Sequence, residues 1–150
     1  APSGQGTGNH HLPHHHPIKK YNFGEESLAL SLFYHIFAII KIKLMSTDDK
    51  TILKIKDIAK SAIPSGSKAI LYGSRARGDA RNDSDWDILI LLDKDKLEQT
   101  DYDKVSYPFV LLGCDLGTEI NPILYTKKEW ESYNFTPFYE NVNRDGISLI

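Results

Sequence analysis

Cysteine is nearly absent from this sequence. Cys114 stands alone among 150 residues, so no internal disulfide forms, a disulfide framework is excluded, and a reducing, cytoplasmic setting is expected. Methionine also occurs once, at Met45, and all six histidines (His10, His11, His14, His15, His16 and His35) precede it. Within residues 45–150 that excludes a Ser-His-Asp triad, a histidine-based zinc site and imidazole acid–base catalysis. Carboxylates, Lys, Tyr, Ser, Thr and Cys114 remain to do chemistry there. The apolar run from Leu28 to Ile40 (LALSLFYHIFAII), closed by Lys41 and Lys43, falls short of the ~20 residues that span a bilayer. No small-x-small cleavage site follows it, and no membrane partner is expected.

What is present reads as one soluble domain with room for a core: 41% of residues are hydrophobic and the formal net charge is -2. Charge divides at Met45. Residues 1–44 carry four Lys and two Glu, whereas 14 basic and 18 acidic residues follow, a net of -4. That balance argues against broad nucleic-acid binding, so a polyanion bound here is held locally, with a metal cation. Residues 1–20 (APSGQGTGNHHLPHHHPIKK) consist mainly of Gly, Pro, Ser and His, too little apolar surface to order themselves. Residues 1–44 are accordingly expected to be a leader or upstream segment outside the natural protein, with an added helix on the domain or a membrane-surface helix as rivals. The working domain is expected to be 45–150.

Along that domain, Ser46 or Thr47 caps a helix with Ile52, Leu53, Ile55, Ile58, Ala59, Ala62 and Ile63 at helical spacing, stopped by Pro64-Ser65-Gly66. Ala69–Tyr72 reads as a strand. Trp86–Leu92 (WDILILL) lacks alternation beyond its start and reads as a central strand buried on both faces. Asp101–Leu116 suggests a helix interrupted at Pro108. Glu119–Tyr125 reads as a third strand that Pro122 places at an edge or a bulge. Thr126-Lys-Lys-Glu129 is a capping box, and Thr136-Pro137 opens a last helix ending near Asp145-Gly146. The predicted class is α/β (α+β): a small mixed sheet flanked by helices.

The chemistry-bearing stretch runs from Tyr72 to Asp87. Gly73-Ser74 follows a strand and precedes a helix-forming segment, a place where backbone N–H groups and a hydroxyl meet a phosphate, though an ordinary turn has the same residues. Asp85 and Asp87, two apart at the start of a strand, project from one face, and such a pair repels unless a cation lies between. Hard oxygen donors without histidine or thiolate favour Mg²⁺. Glu119 opens the third strand; were that strand adjacent, a third carboxylate would complete a two-metal site and accept a proton. Arg75, Arg77 and Arg81 cluster between the two halves, and Arg75, nearest the Gly-Ser turn, is the first choice for a phosphate contact.

Gly73-Ser74, ten residues, then Asp85-x-Asp87 resembles the GSx10DxD signature of the minimal nucleotidyltransferases of the DNA polymerase beta-like superfamily. The run from Glu119 to Trp130 is similar to that family's third-carboxylate strand and following helix. The resemblance implies the polymerase beta-like palm fold, with Gly73 and Ser74 on the triphosphate, aided by Arg75 and Arg77. Asp85 and Asp87 would ligate Mg²⁺, two ions in all, and Glu119 would stand where aspartate is commoner. It implies transfer of a nucleoside monophosphate, AMP from ATP or the equivalent from another NTP, to an acceptor hydroxyl. Family members commonly pair as antitoxins with a HEPN-type toxin, and residues 45–150 leave no second domain for a small acceptor, so a protein acceptor is expected. A non-catalytic nucleotide- or toxin-binding module and an antibiotic nucleotidyltransferase are the alternatives; the oligomeric state is open.

Overall fold

The computed structural model of the chain describes residues 23–150, in two compact units that meet between Lys43 and Leu44. The expectation for residues 1–20 and their histidines lies outside the described residues. The first unit contributes helix α1 (Phe23–Leu44), in which Phe33 stacks on Phe37 one turn later. This helix runs past the expected apolar stretch because lysine is a good helix former, so Lys41 and Lys43 lie within it. Its Ser27–Leu44 window, with a mean hydropathy of 1.6, is long and apolar enough to cross a membrane by length and composition alone.

The second unit begins with α2 (Thr47–Ala62), where the Ser46 hydroxyl accepts from the Asp49 N–H and the Asp49 carboxylate accepts in return from Ser46. Four strands follow at intervals: β1 (Lys68–Tyr72), β2 (Trp86–Leu92), β3 (Ile120–Thr126) and β4 (Ile147–Ser148), in the spatial order β3-β2-β1-β4. β2 runs antiparallel to β1 and parallel to β3, and β4 runs antiparallel to β1, so the sheet is mixed. Pro122 sits in edge strand β3, where its missing N–H costs the ladder least.

The period of two divides the sheet residues between two faces. Ala69, Leu71, Trp86, Ile88, Ile90, Leu92, Ile120 and Leu124 pack with Ile55 and Ala59 of α2 and with Phe109. Leu89 and Leu91 pack on the opposite face with Trp130 and Val142, against which Tyr72, Tyr125 and Phe138 lean. Trp130 comes from α6 (Lys127–Ser132) and Val142 and Phe138 from α7 (Pro137–Asp145), each helix started by the threonine cap expected, Thr126 and Thr136. Helices on both faces explain why β2 is apolar almost throughout. The domain is α+β.

Two features depart from the expected pattern. The helix over 99–116 is three pieces: α4 (Gln99–Asp101), a π-helical segment (Tyr102–Ser106) and α5 (Tyr107–Leu116). The wide turn, closed by the Tyr107 N–H donating to the Tyr102 carbonyl, delivers Pro108 into the first turn of α5, where no acceptor waits for its missing N–H. The second feature is β4. Gly146 lets the chain double back from α7 onto β1, since a Cβ there would clash with the Val142 carbonyl and lie 2.7 Å from Ile70 Cγ2.

Candidate functional site

The end of β1, the start of β2 and the start of β3 lie side by side. Tyr72 pairs with Asp87, and Asp87 with Asn121, so these three residues form one row across the sheet. Alternation puts them on the face covered by α6 and α7, and puts Asp85, two residues before Asp87, on that face too. Gly73 follows at φ +74°, and a Cβ on it would stand 2.5 Å from Asp87 Oδ2. Only glycine satisfies both demands, which brings the backbone of the Gly73-Ser74 turn against a carboxylate of the pair. Helix α3 (Ser74–Arg77), four residues long, follows at once and ends in the left-handed Gly78.

Burial pushes the Asp87 carboxyl above its ordinary pKa; the charge of Asp85 adds to the rise, while the Asn121 amide and Arg77 oppose it. Burial, and then the charge of Asp87, raises the Tyr72 phenol to about 12. Tyr72 therefore stays a neutral phenol beside the carboxylate at any physiological pH. Two part-buried carboxylates of this kind fit a divalent cation with hard-ligand preference. Mg²⁺ is commonly held by one or two carboxylates together with substrate phosphates.

Of the expected metal ligands, Asp85 and Asp87 come together and Glu119 does not join them. No group of three His, Cys, Asp or Glu side chains placed to hold a metal ion exists among the described residues. Glu119 lies just ahead of β3, exposed, where its carbonyl accepts from the Trp86 N–H at 2.9 Å. It lines a cavity of about 600 Å³ with Ser106, the last residue of the π-helical segment, and with Val110 and Cys114 of α5. The β3 residue level with Asp87 is Asn121, whose Nδ2 donates to Asp85 Oδ2 at 3.2 Å. Parallel register brings Asn121 level with Asp87, because Trp86 pairs with Ile120.

The arginines separate by job. Arg75 is not free for phosphate. Its guanidinium, with the side chain only 5% exposed, donates Nε and Nη2 to the Ser84 carbonyl (3.1 and 2.8 Å), Nη2 to the Asn82 carbonyl (3.3 Å) and Nη1 to Asp48 (2.6 Å). It also lies 4.5 Å from the centre of the Trp86 ring. Arg75 was the expected leading phosphate contact; in this structure it makes four hydrogen bonds, three to carbonyls of the loop between α3 and β2 and one to Asp48 of α2. Arg77 is the arginine left facing the site. It is 45% exposed, pairs weakly with Asp79 at 3.3 Å, and acts electrostatically on both Asp87 and Asp145. Arg81 is exposed beside Asp83.

Arg77 also lines a cavity of about 200 Å³ with Tyr72, Gly73, Phe138, Asn141 and Asp145, opening beside the Gly-Ser turn. Sequence reasoning missed Asn121, Tyr72 and this α7 wall. A register argument for β3, counting from the carboxylate level of β2, would have found Asn121; the α7 residues carry no such signal, because a helix wall is set by tertiary packing.

No curated protein matches the chain. Among solved structures it is similar to a toxin-antitoxin crystallised with AMP-PNP, at 20% identity and a TM-score of 0.46, covering 66% of this chain and 72% of that one. The family model for the nucleotidyltransferase domain matches residues 52–135, which contain the Gly73-Ser74 turn, both aspartates, Glu119 and Asn121. With that match over more than half its length, and with the aspartate pair and glycine turn in contact, the chain belongs to the nucleotidyltransferase domain family.

Proposed function

We propose that this protein is a Mg²⁺-dependent nucleotidyltransferase that moves a nucleoside monophosphate, AMP from ATP, to a hydroxyl on a partner protein, as the antitoxin of a HEPN-type toxin. The observation that carries the chemistry is the approach of Gly73 to Asp87: a turn able to present backbone N–H groups to phosphate oxygens abuts a carboxylate pair. The resemblance of the Tyr72–Asp87 stretch to minimal nucleotidyltransferases supports the partner and the nucleotide.

Gly73 and Ser74 bind and orient the triphosphate, and Arg77 adds positive charge from the solvent side. Asp85 and Asp87 would hold Mg²⁺, which when bound offsets charge on the phosphates and stabilises the entering and leaving oxygens. The acceptor oxygen forms a bond to the α-phosphorus in line with the bond to pyrophosphate, which breaks, and the hydroxyl proton passes to a site carboxylate or to water. No covalent intermediate with the protein is required, and no histidine.

Incubation with Mg²⁺, each α-labelled NTP and a lysate of the source tests this. Label on a protein band, abolished by Asp85→Asn with Asp87→Asn, is the expected outcome; labelling that survives both substitutions refutes the assignment. A second reading, a nucleotide- or toxin-binding module that does not turn over, is favoured by one observation, the amide of Asn121 level with Asp87. It expects nucleotide retained without transfer.

A further inference from the structure

We propose that Asn121 fixes the nucleotide site at one divalent cation, and that this single residue withholds a second. The inference rests on the nucleotidyltransferase reading and adds to it the metal stoichiometry and the residue that sets it.

Three observations carry it. Asn121 is the residue of β3 paired with Asp87, and β3 is the edge strand, so among the described residues no further strand lies beyond it to supply a carboxylate on that side. Its Nδ2 donates to Asp85 Oδ2 at 3.2 Å, and its register partner is Asp87, so one neutral side chain sits against the pair. No third acidic or imidazole group joins the pair to make a metal cluster among the described residues.

The amide orientation follows from charge: turned over, its oxygen would face a carboxylate oxygen. With nitrogen toward Asp85, the amide donates to that carboxylate and adds no charge of its own on the β3 side. The Asp85–Asp87 pair carries two negative charges, which one divalent ion neutralises. A second ion would find on the β3 side a neutral amide, which brings no negative charge to offset the repulsion between two cations, where a carboxylate would bring one. Two-metal sites place their ions ~3.5–4 Å apart and bridge them with shared carboxylates. Here the residue positioned to bridge from β3 is an amide.

The test uses the full chain, Mn²⁺ as the probe and a saturating non-hydrolysable ATP analogue. Bound ions are counted by calorimetry and by loss of the free Mn²⁺ resonance signal. Wild type is expected to hold one Mn²⁺ per nucleotide-bound chain. Asn121→Asp is expected to hold two, with the broadened spectrum of a coupled Mn²⁺ pair. Asn121→Ala, which removes the amide without adding charge, is expected to stay at one, separating the effect of a carboxylate from the loss of a hydrogen bond. Two ions on wild type, two on Asn121→Ala, or one on a folded Asn121→Asp would each overturn the proposal while leaving the nucleotidyltransferase reading intact. Failure of wild type to bind nucleotide and Mn²⁺ together would remove both.

Discussion

Replacing Arg75 with methionine should destabilise the domain strongly while leaving nucleotide binding by the folded protein intact. The guanidinium is nearly buried and holds two backbone carbonyls of the loop before β2, Ser84 through two N–H groups and Asn82 through one. Charged hydrogen bonds contribute ~1.5–3 kcal/mol each, and the forked contact to Ser84 is the better made, so the loop carbonyls account for about 2–3 kcal/mol. Stacking on Trp86 adds about 1 kcal/mol. The Asp48 partner is 62% exposed, and a pair open to water on one side adds at most ~1 kcal/mol. Methionine recovers part of the apolar contact, leaving a net loss of about 3–4 kcal/mol, a large share of the ~5–15 kcal/mol that holds a domain together. At ~4–8 °C per kcal/mol for a domain of roughly this size, the melting temperature should fall by about 15–25 °C. Arg75→Lys keeps the charge but not the fork and should fall about half as far. Circular dichroism melts and urea titrations give both numbers, with nucleotide binding measured below each transition. A methionine variant that melts like wild type yet loses nucleotide affinity would refute the clamp and return Arg75 to the phosphates.

Gly73→Ala should cost ~1–2 kcal/mol from the positive φ alone, and more from the displaced Asp87 carboxylate; the decisive readout is loss of metal-dependent nucleotide binding in protein that still shows a folded circular dichroism spectrum. Asp87→Asn should stabilise the metal-free protein at neutral pH. The fold holds the Asp87 pKa above its unfolded value, so the native state keeps the proton longer, and stability falls as pH rises from the unfolded pKa through the folded one. Denaturation of the variant and wild type across that window should show an advantage for asparagine at high pH that disappears at low pH; an advantage independent of pH would show that burial of the charge is not its source.

Much of the fold was legible because its signals are local. WDILILL is too apolar for a one-sided strand and lies second in a sheet covered on both faces. Ser46 with Asp49 and Thr126 with Glu129 close capping boxes in which each side chain meets the other residue's N–H. Pro122 at a sheet edge follows from a missing donor. What escaped was set by partners distant in sequence. β4 is two residues long and exists because β1 offers an open edge at Ile70 and Leu71. The role of Arg75 depends on carbonyls nine and seven residues on and on Asp48 of another helix, none of which a charge pattern reveals. Asn121 carries no charge that marks it in a sequence, and the register that brings it level with Asp87 is a property of two strands together.

The clamp also explains the spacing that made the site recognisable. Between Ser74 and Asp85 the chain must leave β1, complete the short turn of α3, and return antiparallel so that Asp87 lands opposite Tyr72. The left-handed Gly78 ends α3, and the Arg81 carbonyl and N–H are then tied to the Ser84 N–H and hydroxyl, which turns the chain back. Arg75 reaches across the closing loop to Asn82 and Ser84, one and three residues before Asp85 if counted from the later carbonyl first. Lengthening the loop by a residue would slip β2 against β1, and in a strand of period two that slip turns Asp87 from the carboxylate face into the apolar layer of α2 and α5. The ten-residue interval is therefore a register device, with Arg75 as its latch.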